Sequence, residues 1–99
     1  MKKVNVVFDD EIDDVDILLV PDEIADNIES VLREFNQWLR IPENRSRFVV
    51  KVINGYEIIS INTEEFLWWL NYVRIDDTQK ATILIQHAKL VVDYPRADF

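Results

Sequence analysis

Residues 47–61 read RFVVKVINGYEIISI: two β-branched runs, Arg47–Ile53 and Tyr56–Ile61, on either side of Asn54-Gly55. Asn-Gly between alternating apolar runs is the strongest short hairpin signal, because a type I′ turn needs positive φ at both central positions. Gly55 is the only glycine in the chain, and it stands at that turn. A two-residue loop sets Ile53 against Tyr56, Lys51 against Ile58 and Val49 against Ser60. One face then carries Phe48, Val50, Val52, Ile59 and Ile61, and is predicted to be the core side. The other carries Val49, Lys51, Ile53, Tyr56, Ile58 and Ser60, which is only half polar and suits a docking surface.

The remaining elements are read outward from this hairpin. Lys2–Phe8 and Val15–Val20 are β-rich, and Pro21 stops the second. They form either a hairpin or an edge strand added to a sheet that begins at Val15. From Pro21, apolar residues recur at Ile24, Ile28, Val31, Leu32, Phe35, Trp38 and Leu39, a single stripe that predicts one helix ending before Pro42. Asp22, Asp26 and Glu29 fall opposite the stripe, and Glu29 and Arg33 are spaced for an ion pair. Asn62 with Glu65 resembles a capping box and opens a second helix over 63–73, closed by Asp76-Asp77-Thr78. Lys80–His87 reads as a strand, with a helical period also available, and the tail to Phe99 gives no signal. Without the first strand the order is βαββαβ. The predicted fold is a single α+β domain over 1–99: an antiparallel sheet with two helices on one face, in ferredoxin-like (split βαβ) order with an extra N-terminal strand.

Charge is distributed unevenly along this order. The 99 residues hold 19 acids and 11 bases, a formal net charge of −8. Residues 1–40 contribute −7 of it, and residues 9–29 hold ten acids with no Lys or Arg. Such a concentration repels phosphate backbones and draws cationic partners, raising association rates by about 10–10³ fold at low salt. Direct nucleic-acid binding is therefore not expected. The chain has no cysteine, which excludes disulfides, thiolate metal sites and thiol nucleophiles. No apolar run approaches a membrane span and the acidic N-terminal region is no signal peptide, so a soluble cytoplasmic protein is expected.

Catalytic constellations are missing from the reading. His87 is the only histidine, the serines have no elbow glycines, and one glycine cannot build a phosphate-cradling loop. The run Asp9-Asp10-Glu11-Ile12-Asp13-Asp14-Val15-Asp16 offers carboxylates to Mg²⁺ or Ca²⁺ but lacks EF-hand spacing, so no metal or other cofactor is expected. Trp68 and Tyr72 lie four apart, opposite the face of Phe66, Trp69, Leu70 and Val73. They are read either as exposed interface anchors or as the second buried side of a helix covered on both sides.

In size, acidity and tryptophan content the chain resembles the small acidic immunity proteins that block bacterial toxins, many of them basic nucleases. The resemblance implies a non-catalytic inhibitor that occludes a cationic active site. Asp13, Asp14, Asp16, Asp22, Asp26 and Glu29 would supply the field, and Trp68 and Tyr72 the anchors. A nucleic-acid mimic blocking a DNA- or RNA-binding protein is the alternative, and a small metal-dependent enzyme the second.

Overall fold

The computed structural model describes residues 1–76 and 79–99. It is α+β, with a four-stranded sheet, a separate two-stranded ribbon and four helices. Strands β1 (Lys2–Val7) and β2 (Val15–Val20) pair antiparallel, Lys2 against Val20 and Val6 against Asp16. On the outer side of β2 lies β5 (Thr82–Ala88), antiparallel. On the outer side of β1 lies β6 (Arg96–Asp98), parallel. The sheet order is β5-β2-β1-β6, so the sheet is mixed and not wholly antiparallel as expected.

Strand β1 is interior, not an edge. Val4 and Val6 point into the main core with Leu18 and Val20, under Ile24, Val31, Phe35, Phe66, Trp69 and Leu70 of the helices. Val7 sits in a smaller cluster on the opposite face with Val15 and Ile17, covered by Ala88, Leu90 and Tyr94. The C-terminal tail, silent in the sequence, makes that second cover. Buried Asn5 fastens it: its Nδ2 donates to the carbonyls of Val91 (2.9 Å) and Tyr94 (3.1 Å), and its Oδ1 accepts from the Val91 N–H (3.1 Å). Phe99 then stacks on Phe8 with centroids 4.7 Å apart.

The expected helix over 21–40 carries the right stripe but is two helices, α1 (Asp22–Asp26) and α2 (Ile28–Leu39). Asn27 departs from helical backbone at φ −125°, ψ 30°, and its side-chain amide donates to the Glu23 carbonyl. Such local side-chain bonding competes with the helix ladder. Pro21 caps α1 from outside and Pro42 opens a third short helix, α3 (Pro42–Arg45). Among the described residues Glu29 and Arg33 form no ion pair. The capping box at Asn62 and Glu65 starts α4 (Thr63–Trp69), which widens into a π-helical turn over Leu70–Arg74. That turn shifts the register and leaves Val73, expected inside, exposed. Of the predicted break at 76–78, Asp77 and Thr78 lie outside the described residues.

The largest correction concerns the hairpin. Strands β3 (Val49–Ile53) and β4 (Tyr56–Ile59) form with Asn54 at φ 51° and Gly55 at φ 81°, both positive as type I′ requires. Ile53 pairs with Tyr56 and Lys51 with Ile58, but Val49 meets Ile59 instead of Ser60, making Val50 the extra residue of a bulge. The ribbon joins no other strand, because β5 and β6 occupy the two sites flanking the β1–β2 pair. The split βαβ order is therefore not the one observed. Val50 and Val52, predicted to face the core, are 65% and 61% exposed. Only the root residues Phe48 and Ile61 pack on the core. Among the described residues no helix is long and apolar enough to cross a membrane.

Candidate functional site

The strand pairing divides the predicted acidic surface in two. Asp13, Asp14 and Asp16 lie at the start of β2; Asp22, Asp26 and Glu29 follow its end, about 17 Å away at ~3.4 Å per residue. The six carboxylates thus do not form one patch.

The far group is largely compensated. Antiparallel pairing sets the first residues of β1 beside the end of β2, so the Met1 amino group reaches Asp22 (2.9 Å) and Lys2 reaches Asp26 (2.7 Å). The hydrogen bond from the N-terminal ammonium lowers the Asp22 pKa, and the bond to Asp26 raises that of Lys2. Arg74 spans Glu34 (2.9 Å) and Glu23 (2.8 Å), and those two bonds hold its pKa above the ordinary arginine value. Of the three named acids in this group only Glu29 lacks an ion pair among the described residues.

The near group belongs to a fastened loop. Asp9 and Asp10 both adopt left-handed backbone (φ 54° and 57°), which Asp tolerates better than most residues. Phe8 O accepts from Glu11 N (3.0 Å), Ile12 O accepts from Leu90 N (2.8 Å), and Asp9 N donates to Phe99 O (3.4 Å). The tail that covers the sheet thereby also holds the loop. Asp16 turns inward, accepting from the Thr63 hydroxyl at the start of α4 and, at 3.4 Å, from the His87 N–H. Asp14 meets His87 Nδ1 at 2.9 Å, and this bond raises the His87 pKa above its ordinary value. Asp9, Asp10, Glu11 and Asp13 form no ion pair among the described residues, and all four are exposed. Sequence reasoning assigned Asp9, Asp10 and Glu11 no partner-binding role, although their contiguity with Asp13 was a visible signal. Asp98, brought alongside by the β6–β1 pairing opposite Val7, gave no signal at all.

The aromatic pair also separates. Trp68 is half-buried, with Trp38 at 6.1 Å and Phe48 at 6.0 Å between centroids and the Arg47 guanidinium 5.3 Å above its ring. It seals the seam between α2, α4 and the root of the hairpin. Tyr72 packs against it, tilted, with centroids 5.6 Å apart, and is 74% exposed. From Thr63, beside Asp16, Tyr72 lies nine residues on, about 13 Å along the helix.

Among the described residues no three His, Asp or Glu side chains converge in a way that could hold a metal ion. A depression of about 440 Å³ beside the α1–α2 break is lined by Asp26, Glu29, Ser30, Arg33 and Pro95. A smaller apolar groove of about 210 Å³ on the tail side of the sheet is lined by Ile17, Ile85, Val91 and Tyr94, with Lys3 at its rim. Ligand pockets usually occupy 300–1,000 Å³ with convergent polar groups. The larger depression is within that range, but unpaired carboxylates crowd more densely on the 9–14 loop, which makes the loop the candidate site. No family model, curated protein or solved structure matches the chain.

Proposed function

We propose that this chain is a non-catalytic protein-binding module that neutralises a basic partner, a toxin domain with a cationic active site such as a nuclease, by covering that site. The observation that carries the reading is the 9–14 loop. Four exposed carboxylates without ion pairs stand on a backbone tied down by the C-terminal tail. A prepositioned anionic loop loses little conformational entropy when a cationic groove closes on it. Asp22 and Asp26 already have cationic neighbours and contribute less to the field than their exposure suggests. Tyr72, exposed in the π-helical turn that follows α4 and about 13 Å from Thr63 along the helix axis, serves as the aromatic contact at the edge of the interface. Trp68 supports it from below.

The test is capture from the native host followed by mass spectrometry, using the wild type and a quadruple Asp9→Asn, Asp10→Asn, Glu11→Gln, Asp13→Asn variant. The wild type is expected to recover one basic domain. The loop variant should associate with it about 10–10³ fold more slowly at low salt, while Asp22→Asn with Asp26→Asn changes the rate only slightly. An unchanged, salt-sensitive on-rate in the loop variant would refute the reading. Recovery of several unrelated nucleic-acid-binding proteins would point instead to mimicry of a phosphate backbone.

A further inference from the structure

We infer that Asn54 is a site of spontaneous covalent modification: the Gly55 backbone nitrogen displaces the side-chain amide, and isoaspartate forms at the tip of the β3–β4 ribbon. The inference is independent of the acidic loop and of the function proposed for it.

The reaction needs an unhindered following residue, a side-chain amide that can turn back on the chain, and a backbone that can open. The chain has seven asparagines, and only Asn54 precedes a glycine. The other six precede Val6, Ile28, Gln37, Arg45, Thr63 and Tyr72, whose side chains crowd the attacking nitrogen. Hydrogen bonds restrain five of those six amides. Asn5 is buried and joined to Val91 and Tyr94; Asn27 donates to the Glu23 carbonyl and Asn44 to that of Trp38. Asn62 accepts from the Glu64 N–H in the capping box, and Asn71 clamps both the N–H and the carbonyl of Ala81. Asn36 stands within α2, where the helix ladder takes up the Gln37 N–H. Among the described residues no hydrogen bond holds the exposed Asn54 side chain.

The ribbon supplies the open backbone. A two-stranded ribbon is marginal in water, and this one has no buried residue. Asn54 and Gly55 lie between the first paired residues, Ile53 and Tyr56, so the Gly55 N–H has no partner in the ladder. A methyl group on Gly55 would meet nothing within 4 Å, which leaves water an unobstructed approach. Water is the only co-reactant. The Gly55 nitrogen gives up its proton and bonds to Asn54 Cγ; the Cγ–Nδ2 bond breaks, and ammonia leaves with that proton. Water then opens the cyclic imide. Cleavage between Cγ and the Gly55 nitrogen gives aspartate. Cleavage between that nitrogen and the Asn54 main-chain carbonyl carbon gives isoaspartate, with the chain now running through Cγ. Isoaspartate adds a methylene to the backbone of a turn that needs positive φ at both residues, and it adds a negative charge. The ribbon loses its register, while the body, which packs only on the root residues Phe48 and Ile61, keeps its fold.

The test is prolonged incubation of the full chain in neutral and mildly alkaline buffer, folded and in guanidinium. Peptide mapping by mass spectrometry follows each asparagine, and an isoaspartate-specific carboxyl methyltransferase labels the product. In the folded chain Asn54 alone is expected to convert, faster at the higher pH because its attacking nitrogen must lose a proton. Its rate should lie within about tenfold of that in the unfolded chain, since the ribbon opens at the low-cost end of local unfolding. Asn54→Gly keeps a Gly-Gly pair that suits the same turn, so circular dichroism should show the wild-type fold and methyl labelling should be lost. A folded chain that keeps Asn54 intact while the unfolded chain converts overturns the inference, because the turn then protects the amide. Labelling that persists in Asn54→Gly overturns it too, because the isoaspartate then lies elsewhere.

Discussion

The pairs β1–β2 and β3–β4 are built from nearly the same residues, Val and Ile with occasional Lys and Asp or Glu, and both are antiparallel. One is the centre of the molecule and the other is buried nowhere. The difference does not lie in their composition. Around β1–β2 the helices supply one cover, the 89–99 tail supplies the other, and β5 and β6 close both edges. Around β3–β4 only the turn at the root and the Trp38–Phe48–Trp68 seam provide support. Alternation and a turn define a hairpin; burial depends on what else the chain can bring to its faces.

The strongest way to break this comparison is to truncate one apolar side chain in each region. Phe35 is fully buried against Phe66 (5.4 Å), Trp69 (5.1 Å) and Phe99 (6.2 Å), where helix, sheet cover and tail meet. Phe35→Ala is expected to cost about 3–5 kcal/mol, a large part of the stability of a domain this size. Val52→Ala should stay within about 0.5 kcal/mol. Urea unfolding of both variants checks the pair. A cost above about 2 kcal/mol at Val52 would mean that the ribbon shares the cooperative unit of the body.

Asn5→Ala probes the cover that the hairpin lacks. It leaves the Val91 N–H and the carbonyls of Val91 and Tyr94 without their partner, at an expected cost of about 1–3 kcal/mol. Hydrogen exchange should show Leu90 and Phe99 losing protection before the strands β1 and β2 do. Equal loss everywhere would mean that the tail does not open on its own.

Gly55→Ala acts on the other side. A methyl group there meets nothing within 4 Å, so the penalty is the left-handed backbone alone, about 1–2 kcal/mol. It is expected to loosen the ribbon amides and leave the global unfolding midpoint unchanged. A matching fall in that midpoint would refute the independence of the two regions.

What could be read from the sequence follows the same division between local and distant causes. The Ile24–Leu39 stripe, the Asn62–Glu65 capping box and the Asn54-Gly55 turn are settled by neighbours within a few residues, and the structure contains all three. The β6–β1 pairing spans nearly the whole chain and depends on Asn5, a residue that looks unremarkable between Val4 and Val6. The exclusion of the hairpin follows from β5 and β6 taking the flanking sites, which no pattern inside 47–61 could reveal. The acidic site divides likewise. The run from Asp9 to Asp16 is visible as a string of letters, whereas the ion pairs of Asp22 and Asp26 exist only because β1 returns its first two residues to the end of β2.

The smallest expected effect contrasts the edge β5 with the edge β3. Strand β5 is exposed along much of its length, yet its register shifts twice against β2 and His87 adopts φ 56°, breaking the regular row that another strand would need. Asp14 Oδ1 grips His87 Nδ1 at this kink, and Asp16 accepts from its N–H. Because the Asp14 bond raises the His87 pKa in the folded chain, its contribution is complete below the unfolded value of about 6.5 and is lost as pH rises through the higher folded value. An NMR titration should find His87 titrating above 6.5 in the wild type and returning toward it in Asp14→Asn. Amides beside His87 should exchange faster above the transition, while those of Val50 and Val52 do not respond. If His87 titrates identically in both proteins, the kink is held by backbone geometry alone, and the difference between a blunted edge and an open one owes nothing to this ion pair.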